Sequence, residues 1–171
     1  MAEGKFLRIN DTSGETEELS ALTVSTGASD ASKIIKTDSN GLIDLSLMPV
    51  GIGPDTVDLV CSENLSAGNA VNIYDNAGVP TCRLADKTNG REAHGFVLQN
   101  FTSAQVAKVY KDSKNTALTG LAIGSKYFLG ASGAIVTTPP AAGSGHILQC
   151  VGFASSATVL DIEIEKPIKR N

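Results

Sequence analysis

From residue 57 onward, short apolar stretches alternate with turn residues at intervals of about ten, and that spacing decides what the chain can fold into. Val57-Asp58-Leu59-Val60-Cys61, Ala70-Val71-Asn72-Ile73-Tyr74 and Thr81-Cys82-Arg83-Leu84-Ala85 read as strands. So do residues 95–98, 104–110, 126–129, 134–137, 147–151 and 158–164. Ser66-Ala67-Gly68-Asn69 and Asp75-Asn76-Ala77-Gly78 read as turns, because Asn and Gly accept positive φ at little cost. The last stretch has the clearest alternation, with Leu160, Ile162 and Ile164 on one face and Asp161, Glu163 and Glu165 on the other. Many short strands joined by tight turns predict an all-β fold, an antiparallel sandwich or barrel of jelly-roll type. Composition agrees: aromatic residues make up 5%, Trp is absent and there are 17 glycines, which suits strands and turns better than thick helices.

The first 56 residues read differently. Ser, Thr, Asp and Gly clusters separate brief apolar pieces at residues 6–9, 19–24, 34–35 and 42–48. No piece is long enough to bury itself, so the segment cannot meet its ordering entropy alone. The expectation is an extended N-terminal arm, residues 1–56, that orders by lying on something else, with a floppy linker as the alternative, followed by a compact β domain, residues 57–171. The apolar side chains offered for that contact are Phe6, Leu7, Ile9, Leu19, Leu22, Ile34, Ile35, Leu42 and Ile43. Residues 17–22 are the best helical candidate, though too short to stand alone.

Charge and motifs narrow the function. The net charge is −4, and Lys166, Lys169 and Arg170 are the nearest approach to a basic cluster, so no nucleic-acid partner is expected. No apolar run approaches the length of a membrane span and no secretory h-region is present, which predicts synthesis in a cytoplasm and no membrane partner. Cys61, Cys82 and Cys150 are far apart and lack CxxC spacing, so they read as buried free thiols, with one incidental disulfide as the alternative.

Catalytic chemistry has no visible carrier. His94 and His146 each sit beside glycine, and as a metal pair they would need a third ligand that the spacing does not supply. Ser144, in Gly143-Ser144-Gly145-His146, lacks the GxSxG strand-to-helix context of a nucleophile elbow. The Asp161, Glu163 and Glu165 row could bind Ca²⁺, but no ligand loop accompanies it, and a solvated face that protects an edge strand is the simpler reading. The expectation is a protein that is not an enzyme and uses no cofactor and no metal.

One resemblance adds to this. Leu65-Ser66-Ala67-Gly68-Asn69-Ala70-Val71-Asn72-Ile73, followed by Ala77-Gly78-Val79, resembles the opening of a class of bacteriophage virion proteins that includes capsid cement, or decoration, proteins. Ala93-His94-Gly95-Phe96-Val97, Gly124-Ser125-Lys126-Tyr127-Phe128-Leu129-Gly130 and Ile147-Leu148-Gln149-Cys150-Val151-Gly152 fit the same order and spacing. So does Gly133-Ala134-Ile135-Val136-Thr137-Thr138-Pro139-Pro140. Upstream, Lys36-Thr37-Asp38-Ser39-Asn40-Gly41-Leu42-Ile43-Asp44-Leu45-Ser46-Leu47-Met48-Pro49 is similar to a connector of phage tail-fibre and other virion proteins. The resemblance implies a virion structural protein on the capsid surface, a homotrimer whose partner is the major capsid protein. A tail-fibre, baseplate or receptor-binding module is the alternative that it implies.

Overall fold

The computed structural model describes residues 5–39, 41–49 and 52–171, and the chain divides into two compact units, Met1–Gly53 and Pro54–Asn171. Among the described residues the fold is all-β, with two single-turn 3-10 helices, and no helix is long and apolar enough to cross a membrane.

In the N-terminal unit, β1 (Lys5–Ile9) and β2 (Thr16–Ser20) form an antiparallel hairpin in which Phe6 faces Leu19 and Arg8 faces Glu17. The hairpin makes strand of most of the one helical candidate, residues 17–22, which is too short to stand alone as a helix. Glu17 and Glu18 bond to Arg8 and Lys5 across the strands, which a lone helical turn could not provide. Asn10 closes the turn: its Oδ1 accepts the Thr12 and Ser13 N–H groups at 2.9 and 3.2 Å, and Gly14 supplies a φ of 73°. The segment is thus folded locally rather than extended throughout.

The C-terminal unit opens with a closed barrel of five strands: β3 (Thr56–Cys61), β4 (Ala70–Asn76), β5 (Val79–Leu84), β6 (Gly95–Phe96) and β7 (Val106–Tyr110). They neighbour one another in the ring order β3-β5-β4-β6-β7. A ring with an odd number of strands cannot alternate direction all the way round, so one seam has to be parallel. That seam is β3–β5, with only Val60 opposite Thr81 and Cys61 opposite Cys82 in register. The other four pairings are antiparallel, as the sequence predicts. The β4–β5 turn has φ of 54° at Ala77 and 88° at Gly78, the two positive values of a type I′ hairpin, whose twist matches the strands it joins.

Seven further strands follow: β8 (Ser113–Asn115), β9 (Lys126–Leu129), β10 (Ile135–Val136), β11 (Ile147–Leu148), β12 (Cys150–Ser156), β13 (Val159–Ile162) and β14 (Ile168–Lys169). Five of them make an antiparallel sheet in the order β10-β9-β12-β13-β8, and β11 pairs with β14. Strands β8 and β14 escape sequence reading, since Ser113-Lys114-Asn115 and Ile168-Lys169 carry no alternation to detect.

Two cores result. Leu59, Cys61, Leu65, Val71, Cys82, Val97, Ala107 and Val109 fill the barrel. Ala70, Ala85 and Ala93 join Tyr127, Leu129, Val151, Ala154 and Leu160 in the second core. Adjacent residues Ala70 and Val71 therefore serve opposite cores, which is why β4 is buried on both faces where it starts. Alanines on the outside of the barrel let the larger side chains of the sheet approach it closely.

Two buried amides tie the unit together. Gln149 Oε1 accepts the Ala93 N–H at 2.7 Å, while its Nε2 donates to the Ala93 and Glu165 carbonyls at 3.0 Å each. Asn115 Nδ2 donates to the Gly68 carbonyl at 3.1 Å, and its Oδ1 accepts the Ala117 N–H at 3.1 Å. Replacing Gln149 by Leu strands the Ala93 N–H and carbonyl away from water and frees the Glu165 carbonyl, so Gln149→Leu should destabilise the unit by about 2 kcal/mol or more. Urea unfolding followed by circular dichroism checks this: the midpoint falls and the denaturant dependence stays unchanged.

Candidate interaction surfaces

Residues 5–49 hold nine apolar side chains singled out by sequence, and the structure gives each a place. Phe6 and Leu19 face each other on one side of the hairpin and are half-buried. Leu7 and Ile9 lie on the other side, 59% and 66% exposed. Leu22 and Ile35 form a parallel bridge in which the Leu22 N–H donates to the Ile34 carbonyl at 2.9 Å and the Lys36 N–H donates to the Leu22 carbonyl at 2.9 Å. That bridge leaves Leu22 half-buried, while the side chains of Ile34 and Ile35 remain exposed. Leu42 and Ile43 are exposed beside a turn in which the Leu42 N–H donates to Asp38 Oδ1 at 2.9 Å.

Polar bonds, not burial, hold this unit in shape. Asp30 accepts the Thr26 N–H and Thr26 hydroxyl at 2.6 and 2.8 Å and pairs with Lys33 at 2.8 Å. Those bonds, Lys33 first, bring the Asp30 carboxyl down to about 2. The bond from Arg8, helped by Asn10, likewise holds Glu17 below the ordinary glutamate value. The Ser25 N–H reaches Ser46 Oγ at 2.9 Å, and Asp44 caps the 3-10 turn Leu45–Leu47 through the Ser46 N–H. None of the described residues of the unit is buried. Among the described residues, nine of the fifteen exposed large apolar side chains belong to it, with Val24, Leu45 and Ile52 completing the set. Val24 and Leu45 lie inside the apolar pieces at residues 19–24 and 42–48 but are not among the nine contact candidates, and Ile52 lies beyond those pieces.

The residues weighed for chemistry in the C-terminal unit have local structural partners. His94 Nδ1 accepts the Ile73 N–H at 3.0 Å and Nε2 lies 3.2 Å from Glu92 Oε1, so the ring bridges β4 and the chain before β6 as the Nε2–H tautomer. The Ser144 hydroxyl accepts the main-chain N–H of His146 at 3.3 Å, a turn contact rather than a pairing with the imidazole. Of the carboxylates, Asp161 on β13 pairs with Lys114 on neighbouring β8 at 3.4 Å, and Glu165, beyond the end of β13, lies 3.9 Å from Lys126 on β9. No group of three His, Cys, Asp or Glu able to hold a metal occurs among the described residues.

Two features lie beyond what sequence reading could find. Arg83 stacks over the Tyr74 ring at 4.0 Å and donates through Nε to Asn72 at 3.0 Å. Glu63 joins β5 to the loop beyond it, accepting the Leu84 N–H at 3.1 Å and Arg91 Nη1 at 2.8 Å. Both depend on strand register.

No protein-family model matches the chain, and no curated protein matches it. Among solved structures, the chain is similar to the head fiber gp8.5 N base of bacteriophage phi29, at 11% identity and a TM-score of 0.46. The match covers 65% of this chain and 95% of that one. Likeness of that degree carries no argument about function.

The loop that returns to Arg91 turns on Asp86, whose carboxylate accepts the Thr88 N–H at 2.8 Å, the Thr88 hydroxyl at 2.7 Å and the Ser132 N–H at 3.0 Å. Burial works to raise its pKa, but these bonds and nearby Arg91 outweigh it and hold the carboxyl below the ordinary aspartate value. A folded-state value below the unfolded one gives stability that is fully present above the unfolded pKa and is lost as pH falls through the folded one. Asp86→Asn should therefore flatten the acid limb of the stability curve below about pH 4. Thermal midpoints of both proteins, measured across that limb, check the slope.

Proposed function

We propose that this protein is a structural component of a bacteriophage particle, a decoration protein that binds the outer face of the icosahedral shell and clamps neighbouring major capsid subunits. The observation that carries the reading is the N-terminal unit, which is ordered and rich in apolar side chains yet has no buried residue among those described. An isolated two-stranded hairpin is marginal in water and needs a further strand or a packed face. Among the described residues the β1–β2 sheet has two strands, so each strand keeps an outer edge, and Leu7 and Ile9 line an open face. A sheet edge or apolar groove on a capsid subunit supplies both requirements. The order of motifs between Leu65 and Gly152, which resembles that of phage cement proteins, supports the same reading.

A clamp of this kind works by area. Separating two capsid subunits then also requires stripping the arm from both, so the shell resists internal pressure with no catalytic step and no cofactor. Trimeric assembly of the C-terminal unit would set three arms on adjacent subunits. The connector-like stretch from Lys36 to Pro49, with Leu42 and Ile43 exposed, favours one second reading, a tail-fibre, baseplate or receptor-binding module.

Removing residues 1–53 should leave a folded C-terminal unit that no longer decorates shells. The double change Leu7→Ser and Ile9→Ser should alter unfolding stability by no more than about 0.5 kcal/mol, as exposed positions do, while weakening capsid binding at least about tenfold. Cryo-electron microscopy of expanded empty shells mixed with each protein reads both outcomes. Regular density with the truncated protein would remove the arm from the account, and density at the tail of native virions would favour the second reading.

A further inference from the structure

The parallel seam that closes the barrel brings two cysteines together. Cys61 on β3 and Cys82 on β5 are register partners, both fully buried and both in the barrel core, so their side chains point to the same side. Neighbouring strands lie roughly 4.8 Å apart, inside the Cα separation of roughly 4.4–6.8 Å that a disulfide spans. Cys61 Sγ rests 3.0 Å from the Thr102 carbonyl, and Cys82 Sγ lies 3.9 Å from the Leu59 carbonyl. Cys150, by contrast, is on β12 and makes its contact with the Gly152 carbonyl of its own strand, at 3.9 Å.

We infer that Cys61 and Cys82 are a latent disulfide pair, a modification site at which a low-molecular-weight disulfide covalently closes the barrel. The site does not depend on the capsid reading. Only two residue pairs hold the seam, so it parts more readily than the longer antiparallel pairings on either side. An open depression of about 410 Å³ lies over it, with Val60, Cys61, Val79, Thr81 and Ala104 in its lining, and gives a small oxidant a way in. Cys61 lines that depression and Cys82 does not, so Cys61 meets the oxidant first; burial, with Cys61 alongside, pushes the Cys82 thiol up to about 11.

The exchange balances in two steps. The Cys61 thiolate attacks one sulfur of glutathione disulfide, breaks its S–S bond and releases one glutathione thiolate. The Cys82 thiolate then attacks the Cys61 sulfur of the mixed disulfide, forms the Cys61–Cys82 bond and releases the second glutathione. Two electrons pass from the protein to the oxidant, and the two thiol protons end on the released glutathiones.

The test uses the full chain purified in reductant, then held with glutathione disulfide a few degrees below its unfolding midpoint. Thiols titrated after denaturation should fall from three to one, and peptide mapping without reduction should join the peptides that hold Cys61 and Cys82. Cys150→Ser should react alike, its count falling from two to none, and mild dithiothreitol should restore all thiols. Three thiols remaining, a stable glutathione adduct, a bridge to Cys150 or a bridge between two chains would each overturn the inference. Mapping the unaltered protein decides the matter even if Cys61→Ser or Cys82→Ser fails to fold.

Discussion

Five strands cannot close a ring without one parallel pair, and that constraint shapes the C-terminal unit. Strand β4 sits between two antiparallel partners, β5 and β6, and buries both faces where it starts. Its Val71 faces the barrel and its Ala70 faces the second core, so one strand serves as the wall between them. Strand β5 continues from the β4–β5 hairpin to meet β3 in parallel, and the ring closes on two residue pairs. The seam is short because both strands reach their longest pairings elsewhere, β3 along β7 and β5 along β4.

The rest of the unit is arranged to support that closed wall. Gly95 comes so near the Tyr110 main chain that a Cβ there would meet its carbonyl oxygen at 2.5 Å, so the β6–β7 approach requires glycine. The neighbouring Phe96 ring stacks on Tyr110 with centroids 5.5 Å apart, which adds aromatic area where strand β6 is only two residues long. Gln149 reaches from the second sheet to Ala93, just before β6, and Asn115 reaches from β8 to Gly68, just before β4. Each amide replaces water for main-chain groups that no strand ladder satisfies. The N-terminal unit follows the opposite logic, since its turns are set by Asn10, Asp30, Asp38 and Asp44 rather than by a core.

Much of the fold was legible because its strands alternate. Val106-Ala107-Lys108-Val109 shows the period in the sequence, and Ala107 and Val109 are indeed buried while Val106 and Lys108 are exposed. Strand β8 was not legible, because its one buried residue is Asn115, a polar side chain whose partners are main-chain atoms brought in by the fold. The same holds for His94 and Gln149: sequence shows the side chain but not the carbonyl or N–H that meets it. Residues 17–20 give no strand signal for another reason. Glu17-Glu18-Leu19 has helical propensity, but the cations that balance its charges lie on β1, more than one helical turn away in sequence. The closeness of Cys61 and Cys82 is a matter of register alone, which no spacing in the chain reveals.

The central claim is that residues 5–49 hold their shape through exposed polar bonds and gain a packed face only on a partner. Amide hydrogen exchange, measured on the protein alone and again on saturated capsid shells, tests it most directly. The account predicts that β1 and β2, with no packed face, exchange far faster than β4, β7 and β12 in the free protein. On shells, the β1 and β2 amides should slow by at least about a hundredfold. Slow exchange along β1 and β2 in the free protein, unchanged by shells, would contradict the account.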